Sequence, residues 1–206
     1  MYIPNSFRIE DAEEIETIIR NNGFGILVTT HDEHPLATHL PFFYDTEHHA
    51  LFAHMARANP QWQNLEGQSV LVIFSGPHAY ISPSWYELPQ MVPTWNYTAV
   101  HVYGRARVIN DKDVLAQIMT KLVQVYDPQS PLSQQTQDFF YQDLMEGIVG
   151  FRVDITRVQA AAKLSQNRPG DVRRRIVKKL QERGTEADHQ VAQAMTEKLD
   201  GNEKRW

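Results

Sequence analysis

Residues 82–107 read SPSWYELPQMVPTWNYTAVHVYGRAR, and the predicted fold is built around this stretch. From Val100 to Arg107 apolar and polar residues alternate, which is typical of a strand with one buried face. Two Pro-flanked turns centred on Trp85 and Trp95 come before it. Aromatic residues held by prolines beside a sheet suit a flat aromatic ligand or a partner chain, but they also suit a loop that plugs the end of a barrel. These residues alone leave the alternatives open.

Short apolar or alternating segments, separated by turn residues, lie on both sides of this stretch. They predict strands at 25–30, 36–44, 50–55, 70–74, 79–82, 97–109 and 148–158, with a turn at Gly76-Pro77. Hairpin-length connections favour an antiparallel sheet of six or seven strands. Pro35 and Pro41 cannot donate to a strand ladder, so the second strand is predicted at an edge, a bulge or a rim that faces a ligand.

Helices are predicted between and after the strands. Apolar spacing and capping residues place them at 11–22, 59–66, 111–125, 133–146, 171–183 and from 185 onward. Because helices interrupt the succession of strands, a barrel is favoured over a sandwich. The predicted fold class is therefore mainly β with flanking helices.

The composition excludes several kinds of site. The chain has 206 residues and no cysteine, so it has no disulfide, Fe–S cluster, Cys-zinc site or Cys nucleophile. Its net charge of −5 argues against a general affinity for nucleic acid. No apolar run approaches the roughly 20 residues of a membrane helix, and the first residues lack the pattern of a signal peptide. We therefore expect a cytoplasmic protein.

Two polar segments are candidates for an anion site. Arg57 ends a predicted strand just before a helix start marked by Asn59 and Pro60. A guanidinium beside free helix N–H groups suits a phosphate, although an ordinary capped helix with a surface ion pair has the same sequence. The loop after the last strand contains Lys163 and Ser165, and is either a second set of donors or a solvated linker.

Other candidates carry less information. The nine histidines form no spaced metal motif, so no metal is predicted, and the sequence has no P-loop, Rossmann fingerprint or nucleophile elbow. The basic helix at 171–183 presents Arg173, Arg174 and Lys178. These residues either contact DNA or form a solvated helix face.

Several ordered runs together resemble one family, the PaiB-type FMN-binding negative transcriptional regulators. The runs are MYIP at 1–4, ATHLP at 37–41, HMARANPQ at 54–61, GPHAYISPSWY at 76–86, VPTWNY at 92–97, VHVYG at 100–104 and KLSQN at 163–167. They cover nearly the whole chain. The segment LPQM at 88–91 is shorter than the family pattern between its two Trp turns.

The resemblance implies a fold, a cofactor and an assembly. The fold is an FMN-binding split β-barrel, antiparallel and Greek-key-like, related to pyridoxamine phosphate oxidases. It would occupy 1–162, with a polar loop and a C-terminal helical extension at 163–206. The assembly is a homodimer with FMN at the subunit interface. By analogy, the cofactor-binding residues are Thr38, His39, Leu40, His54 and Met55 at the flavin edge, Arg57, Asn59 and Lys163 at the phosphate, Ser165 in the following loop, and Trp95, Asn96 and Tyr97 as a lid from the partner chain.

The resemblance also implies a function. It favours a regulatory flavoprotein that represses genes of the protease-synthesis and sporulation type, directly or through a partner that binds DNA. One alternative is an FMN-dependent oxidoreductase, in which His39, His54 or Tyr97 delivers a proton near the flavin. A second alternative is a haem-binding split barrel with a strand histidine as axial ligand.

Overall fold

The computed structural model describes residues 1–131 and 145–203. Its strands are β1 Arg8–Ile9, β2 Phe24–His31, β3 His34–Asp45, β4 Ala50–Ala56, β5 Ser69–Ile81, β6 Thr94–Ile109 and β7 Ile148–Lys163. Its α-helices are α1 Ala12–Asn21, α2 Lys112–Tyr126, α3 Gly170–Arg183 and α4 Glu186–Glu203, and short 3-10 helices occur at Asn5–Phe7, Pro60–Asn64 and Pro83–Tyr86.

The strands form one sheet with the order β1-β7-β4-β3-β2-β5-β6, and β6 also pairs with β7. The pairs with a defined register, β1–β7, β2–β3, β2–β5, β3–β4 and β4–β7, are all antiparallel. Because β6 returns to β7, six of the strands form a closed hydrogen-bonded ring, and β1 pairs with β7 as the seventh strand. The predicted barrel of mostly antiparallel strands with flanking helices is confirmed.

The chain forms two compact units, each assembled from separate stretches. The first unit contains Met1–Ile18, Ser75–Val100 and Gln159–Trp206, and the second contains Ile19–Phe74 and His101–Val158. A boundary between a barrel and a helical extension at residue 162 stays a prediction.

Aromatic residues form the core of the second unit. The ring of Phe42 packs edge-on against Phe74 and Phe151, with centroids 5.7 and 6.1 Å away. On the opposite side of β3, Phe43 stacks on Phe52 at 5.0 Å and packs against buried residues of α2. The period of two along β3 thus sends successive aromatic side chains into two different hydrophobic layers.

β6 has the alternation that the sequence predicts. Val100, Val102 and Ala106 are fully buried, and the residues between them are partly or fully exposed. Gly104 continues the buried side at a close approach between strands, because a Cβ there would lie 2.4 Å from the carbonyl oxygen of Asp154. A glycine is required where two backbones come this close.

The predicted turn at Gly76-Pro77 is wrong, because β5 runs through both residues without a break. A Cβ at Gly76 would lie 2.0 Å from Oγ1 of Thr98. Here glycine permits close packing of a neighbouring side chain, and a sequence pattern cannot distinguish that use from a turn.

Other element boundaries also differ from prediction. β6 begins at Thr94, so Trp95 lies in a strand and not in a turn. β7 continues to Lys163, because its end pairs with β1 through Ala160 and Ala161. The helix predicted at 59–66 is the 3-10 helix Pro60–Asn64, and the helix predicted at 133–146 lies almost entirely outside the described residues.

In the first unit, an ion pair fixes the junction between α3 and α4. Nε of Arg183 donates to Oδ2 of Asp188 over 2.8 Å, and the backbone N–H of Thr185 donates to the same oxygen over 3.3 Å. α3 ends at Gly184, whose φ of +73° is readily adopted only by glycine. None of the helices in the described ranges is both long and apolar enough to cross a membrane.

This junction predicts a loss of stability in acid. The hydrogen bond from Arg183 lowers the pKa of Asp188 to about 2, from an ordinary value of 3.8, and only 1% of the side chain is exposed. A carboxyl whose pKa is depressed by folding stabilises the protein above its unfolded-state pKa, and the contribution disappears as the pH falls through the folded-state pKa. We expect Asp188 to contribute about 2 kcal/mol at neutral pH, lost between about pH 5 and pH 2.

Urea unfolding of the wild type and Asp188→Asn across that pH range measures this contribution. The free energy of unfolding of the variant should fall less steeply with acid. Asp32→Asn, at an exposed turn, is the control and should parallel the wild type. Parallel curves for wild type and Asp188→Asn would contradict the assignment.

Candidate functional site

In the second unit, β3 and β4 diverge next to several predicted cofactor residues. The two strands pair from Asp45↔Ala50 to Phe42↔Ala53. Beyond that point β3 continues along β2 through residues 41–34, while β4 continues along β7 through residues 54–56. The predicted flavin-edge residues, Thr38, His39, Leu40, His54 and Met55, therefore lie on the two strands just where they separate.

The register of β3 shows which backbone groups face this divergence. The N–H of Phe42 donates to the carbonyl of Gly23 over 2.8 Å, so the even-numbered residues of this antiparallel pair direct their backbone groups towards β2. His39, opposite Ile26, directs its N–H and C=O away from β2. These groups could pair with the edge of a heterocyclic ring. Pro35 and Pro41 have the same orientation, so neither proline removes a donor from the pairing of β3 with β2.

The side chains around the divergence differ in accessibility. Leu40 and Met55 are core residues, with 7% and 2% of their surface exposed. His39 is exposed, with its ring 6.0 Å from that of Phe24. Nδ1 of His54 is buried and has no hydrogen-bond partner among the described residues, and burial lowers the pKa of His54. His54 is thus a neutral imidazole at pH 7 with an unsatisfied nitrogen.

A residue that the sequence analysis did not assign to the site, Gln61, lies at its centre. Gln61 is 4% exposed, and its Oε1 accepts a 2.5 Å hydrogen bond from the hydroxyl of Thr38. Its Nε2 donates to Oγ1 of Thr29 over 2.9 Å and to the carbonyl of Leu36 over 3.2 Å. Its backbone N–H donates to Oδ1 of Asn59 over 3.0 Å. Only its position just after the Asn-Pro helix start could have indicated this role.

The same network limits what Thr38 and Asn59 can offer a ligand. Nδ2 of Asn59 donates to the Thr38 hydroxyl over 3.1 Å, so that hydroxyl both donates and accepts within the protein. One N–H of the Asn59 amide is left over. Thr38 and Asn59 therefore hold the turn after β4 in place, and Asn59 keeps a single donor for an anion.

Arg57 is both anchored and available. Its Nε donates to the carbonyl of Glu146 over 2.7 Å and its Nη2 to the carbonyl of Ile148 over 2.9 Å. The guanidinium lies 5.8 Å from the ring of Trp62, and the side chain is exposed. Since a guanidinium has five N–H donors and two are used within the described structure, three remain there in a fixed orientation, as binding a phosphate requires.

In the first unit, the other predicted residues form a separate polar cluster. Asn96 is fully buried; its Oδ1 accepts from the hydroxyl of Ser165 over 3.1 Å, and its Nδ2 contacts Sδ of Met195 at 3.3 Å. Nζ of Lys163 bonds to the hydroxyl of Thr94, and burial lowers the pKa of Lys163. These contacts tie the start of β6 to the loop after β7 and to α4.

Trp95, which the sequence analysis predicts as part of a lid over the flavin, is an exposed aromatic residue of the first unit. Its surface is 52% exposed, and its ring centroid lies 6.1 Å from His78 and 6.0 Å from Tyr80. Tyr97, two residues along the same strand, is half-buried. His78 and Tyr80 were not assigned to the site from the sequence, although they lie in one of the family-like runs.

Of the three basic residues of α3 that were predicted as possible DNA contacts, two are exposed and one is buried. Arg174 and Lys178 are exposed, as a contact with DNA would require. Arg173 is 4% exposed and lies on the buried side of the helix with Val172 and Ile176. The apolar spacing alone did not reveal that an arginine belongs to that side.

Comparison with known proteins identifies the family. The family described as "Putative FMN-binding domain" matches residues 1–157. The "Protease synthase and sporulation protein PAI 2" of Bacillus subtilis (strain 168) is 40% identical over 205 residues, which cover 97% of this chain and 98% of that protein. The chain belongs to the PaiB family. The resemblance seen in the sequence is confirmed.

Solved structures share the fold of this PaiB-family chain. The flavocytochrome Anf3 of Azotobacter vinelandii has a TM-score of 0.61 at 18% identity, over 79% of this chain and 70% of that one. The FAD and heme binding protein of Mycobacterium smegmatis has a TM-score of 0.61 at 14% identity, over 81% and 78%. At these identities the comparison shows the split-barrel fold alone.

The residues in the second unit fit an FMN-type ligand. Arg57 supplies anchored donors for a phosphate, and the backbone of His39 supplies a donor and an acceptor for a ring edge. Nδ1 of His54 is a further polar atom without a partner among the described residues. A polar atom left unsatisfied in a folded chain is often a group that meets a ligand.

The network around Gln61 predicts a large effect of one substitution. Gln61→Leu removes the acceptor of the Thr38 hydroxyl and the donor to Thr29 and to the carbonyl of Leu36, while the backbone bond to Asn59 remains, so we expect the free energy of unfolding to fall by about 3 kcal/mol. Gln63→Leu, at an exposed position two residues away, should change it by less than about 0.5 kcal/mol. Chemical denaturation of the two variants provides the measurement. Equal stabilities would show that the network does not hold the turn.

Proposed function

We propose that this chain is a cytoplasmic, homodimeric FMN-binding regulator that represses transcription. The observation that carries the proposal is the match to PAI 2 over nearly the full length of both chains, together with the FMN-binding domain at residues 1–157. The name of that relative refers to protease synthesis and sporulation, and we propose genes of that type as targets here.

The cofactor phosphate is assigned to Arg57, with the remaining amide N–H of Asn59. The exposed, anchored guanidinium of Arg57 supports this assignment. The ring edge is assigned to the backbone at 38–40, bordered by His54 and Met55. FMN, when bound, supplies a redox-active ring whose state or occupancy can serve as a signal.

A second copy of the chain is proposed to cover the flavin. Trp95 is suited to this because half of its surface is exposed, and aromatic rings stack well on flat heterocycles. Tyr97 lies on the same strand, and the buried contacts of Asn96 and Ser165 fix the strand that carries both.

Repression is proposed to act through α3 or through a partner that binds DNA. Arg174 and Lys178 are two exposed cations of this helix, and we assign them to a phosphate backbone. Because the net charge of the chain is −5, a direct contact would be weak and strongly dependent on salt.

Titration of the purified protein with FMN and riboflavin, followed by flavin absorbance after desalting, tests the cofactor site. Arg57→Ala should weaken FMN binding about 30-fold, which corresponds to roughly 2 kcal/mol for lost charge-assisted hydrogen bonds. Riboflavin has no phosphate, so its affinity should stay within about threefold.

Arg105→Ala is a matched control, because Arg105 is also exposed and also donates to a carbonyl, that of Gly67, over 2.7 Å. It should leave the affinity for FMN unchanged. If Arg57→Ala weakens riboflavin as much as FMN, Arg57 acts only by holding β4 and β7 together. If the wild type retains no flavin, the cofactor assignment itself is overturned.

A second candidate function is an FMN-dependent oxidoreductase, and His54 is the observation in its favour. A half-buried imidazole that is neutral at pH 7 and has an unsatisfied nitrogen suits proton transfer. The FMN-loaded protein should then be reduced by NADH or NADPH, and His54→Gln should slow the reduction about 100-fold at unchanged FMN occupancy. His34→Gln, at an exposed position, is the control. If neither NADH nor NADPH reduces the flavin, this function is contradicted.

A further inference from the structure

Arg173 is a buried cation, and two of its nitrogens have no hydrogen-bond partner among the described residues. Only 4% of the residue is exposed, and its Nε and Nη2 make no hydrogen bond to any described residue. Burial lowers the pKa of Arg173, but a guanidinium stays protonated in proteins. A buried charge without a counter-charge is strongly destabilising. A counter-charge for Arg173 would therefore come from outside the described part of the chain.

The N-cap residue of α3 offers no side-chain acceptor. Pro169 occupies the N-cap position and makes no side-chain cap hydrogen bond, so no side chain of that residue satisfies the first N–H groups of this 14-residue helix. The carboxylate of Asp171 is bonded to Arg175 over 3.0 Å, further along the helix. Free N–H groups and the positive end of a helix dipole favour an anion.

Positive side chains gather at this end of α3. A Cβ placed on Gly170 would lie 3.6 and 3.7 Å from the two terminal nitrogens of Arg174, so that guanidinium lies over the first residue of the helix. Arg173 is the fourth residue of α3, and long helical side chains lean towards the N-terminus of their helix. The guanidinium of Arg174 thus lies at the positive end of the helix dipole, and the lean of helical side chains directs Arg173 towards the same end.

We propose that the N-terminus of α3 is an oxyanion site for a phosphate group, bound by Arg173 and the first-turn N–H groups, with Arg174 beside it. Arginine binds phosphate through two parallel hydrogen bonds, and Nε and Nη2 of one edge of the Arg173 guanidinium are both available. Since so little of Arg173 reaches solvent, the occupant is a small ion or the phosphate of a small molecule, and a DNA backbone is excluded at this residue.

Free phosphate and the phosphate of a nucleotide cofactor share this chemistry. The site lies within the first unit and does not depend on the assignment of FMN to Arg57. Thermal unfolding of the full chain in sodium phosphate and in sodium chloride of equal ionic strength tests the site, with inorganic phosphate as the probe. The wild type should unfold at a higher temperature in phosphate, as expected for a ligand that binds only the folded state.

Two variants and a control make this test specific. Arg173→Met should lose the phosphate-dependent shift, and in chloride it should unfold at the wild-type temperature or above it, because an uncompensated buried charge has been removed. Arg173→Lys, which keeps the charge without the paired donors, should bind phosphate at least tenfold more weakly. Lys112→Met, which removes an exposed cation on α2, should keep the full shift.

Repeating the titration with saturating FMN identifies the source of the phosphate. A shift that persists supports a site for free phosphate. A shift that disappears, with Arg173→Met weakening FMN but not riboflavin, supports the cofactor phosphate as the occupant. Flavin absorbance measures FMN binding separately. The FMN site at Arg57 and the oxyanion site at α3 can therefore be contradicted independently of each other.

Three results would overturn the oxyanion site. The first is a wild type that phosphate stabilises no more than chloride does. The second is a phosphate shift that is unchanged in Arg173→Met. The third is a less stable Arg173→Met protein in chloride that changes from dimer to monomer by light scattering, since the counter-charge would then be a carboxylate of a second copy.

Discussion

One buried amide determines the local geometry of the candidate cofactor site. Gln61 joins β2 through Thr29, β3 through Thr38 and the turn after β4 through Asn59. A buried polar group that loses its partner costs more than the hydrogen bond contributed, so these elements move together or not at all. Arg57 precedes this turn by two residues and is fixed on its other side by two carbonyls. Its free donors are consequently oriented before any ligand arrives, which reduces the entropy that binding would otherwise cost.

The polar residues of the chain separate into those that the protein satisfies and those that it does not. Asn96, Ser165 and Thr38 make their hydrogen bonds within the described structure, and their effect is to hold strands and loops in position. His54 and Arg173 have buried nitrogens without a partner there. Interior polar groups are normally satisfied, so the unsatisfied ones are the better guide to ligands. By that criterion α3 is a candidate for binding a small anion. From the sequence, the same helix was a candidate for contacting DNA.

Much of the fold could be predicted because its signals are local. The alternation along β6, the prolines of β3 and Asp111, whose side chain caps the start of α2, each reflect a preference of the backbone or of one face of a strand. The family was also evident, because its runs are long and ordered. The sequence did not predict which residues, distant along the chain, would contact each other. Gly76 has the sequence of a turn but accommodates Thr98, and Gln61, which the sequence analysis left out of the site, bonds to Thr38 and Asn59. Partners distant in sequence leave no local pattern, so Gln61 and the burial of Arg173 required three-dimensional information.

The divergence of β3 from β4 also bears on how this protein avoids aggregation. A strand edge with free N–H and C=O groups can recruit a strand from another molecule and begin an intermolecular sheet. Along β3 the groups directed away from β2 belong to the odd-numbered residues, and two of these are Pro35 and Pro41. A foreign strand would find no donor at either end of the exposed segment, so it could form only a short, interrupted ladder. The prolines that leave this edge open to a small ligand thereby make it a poor template for fibre growth.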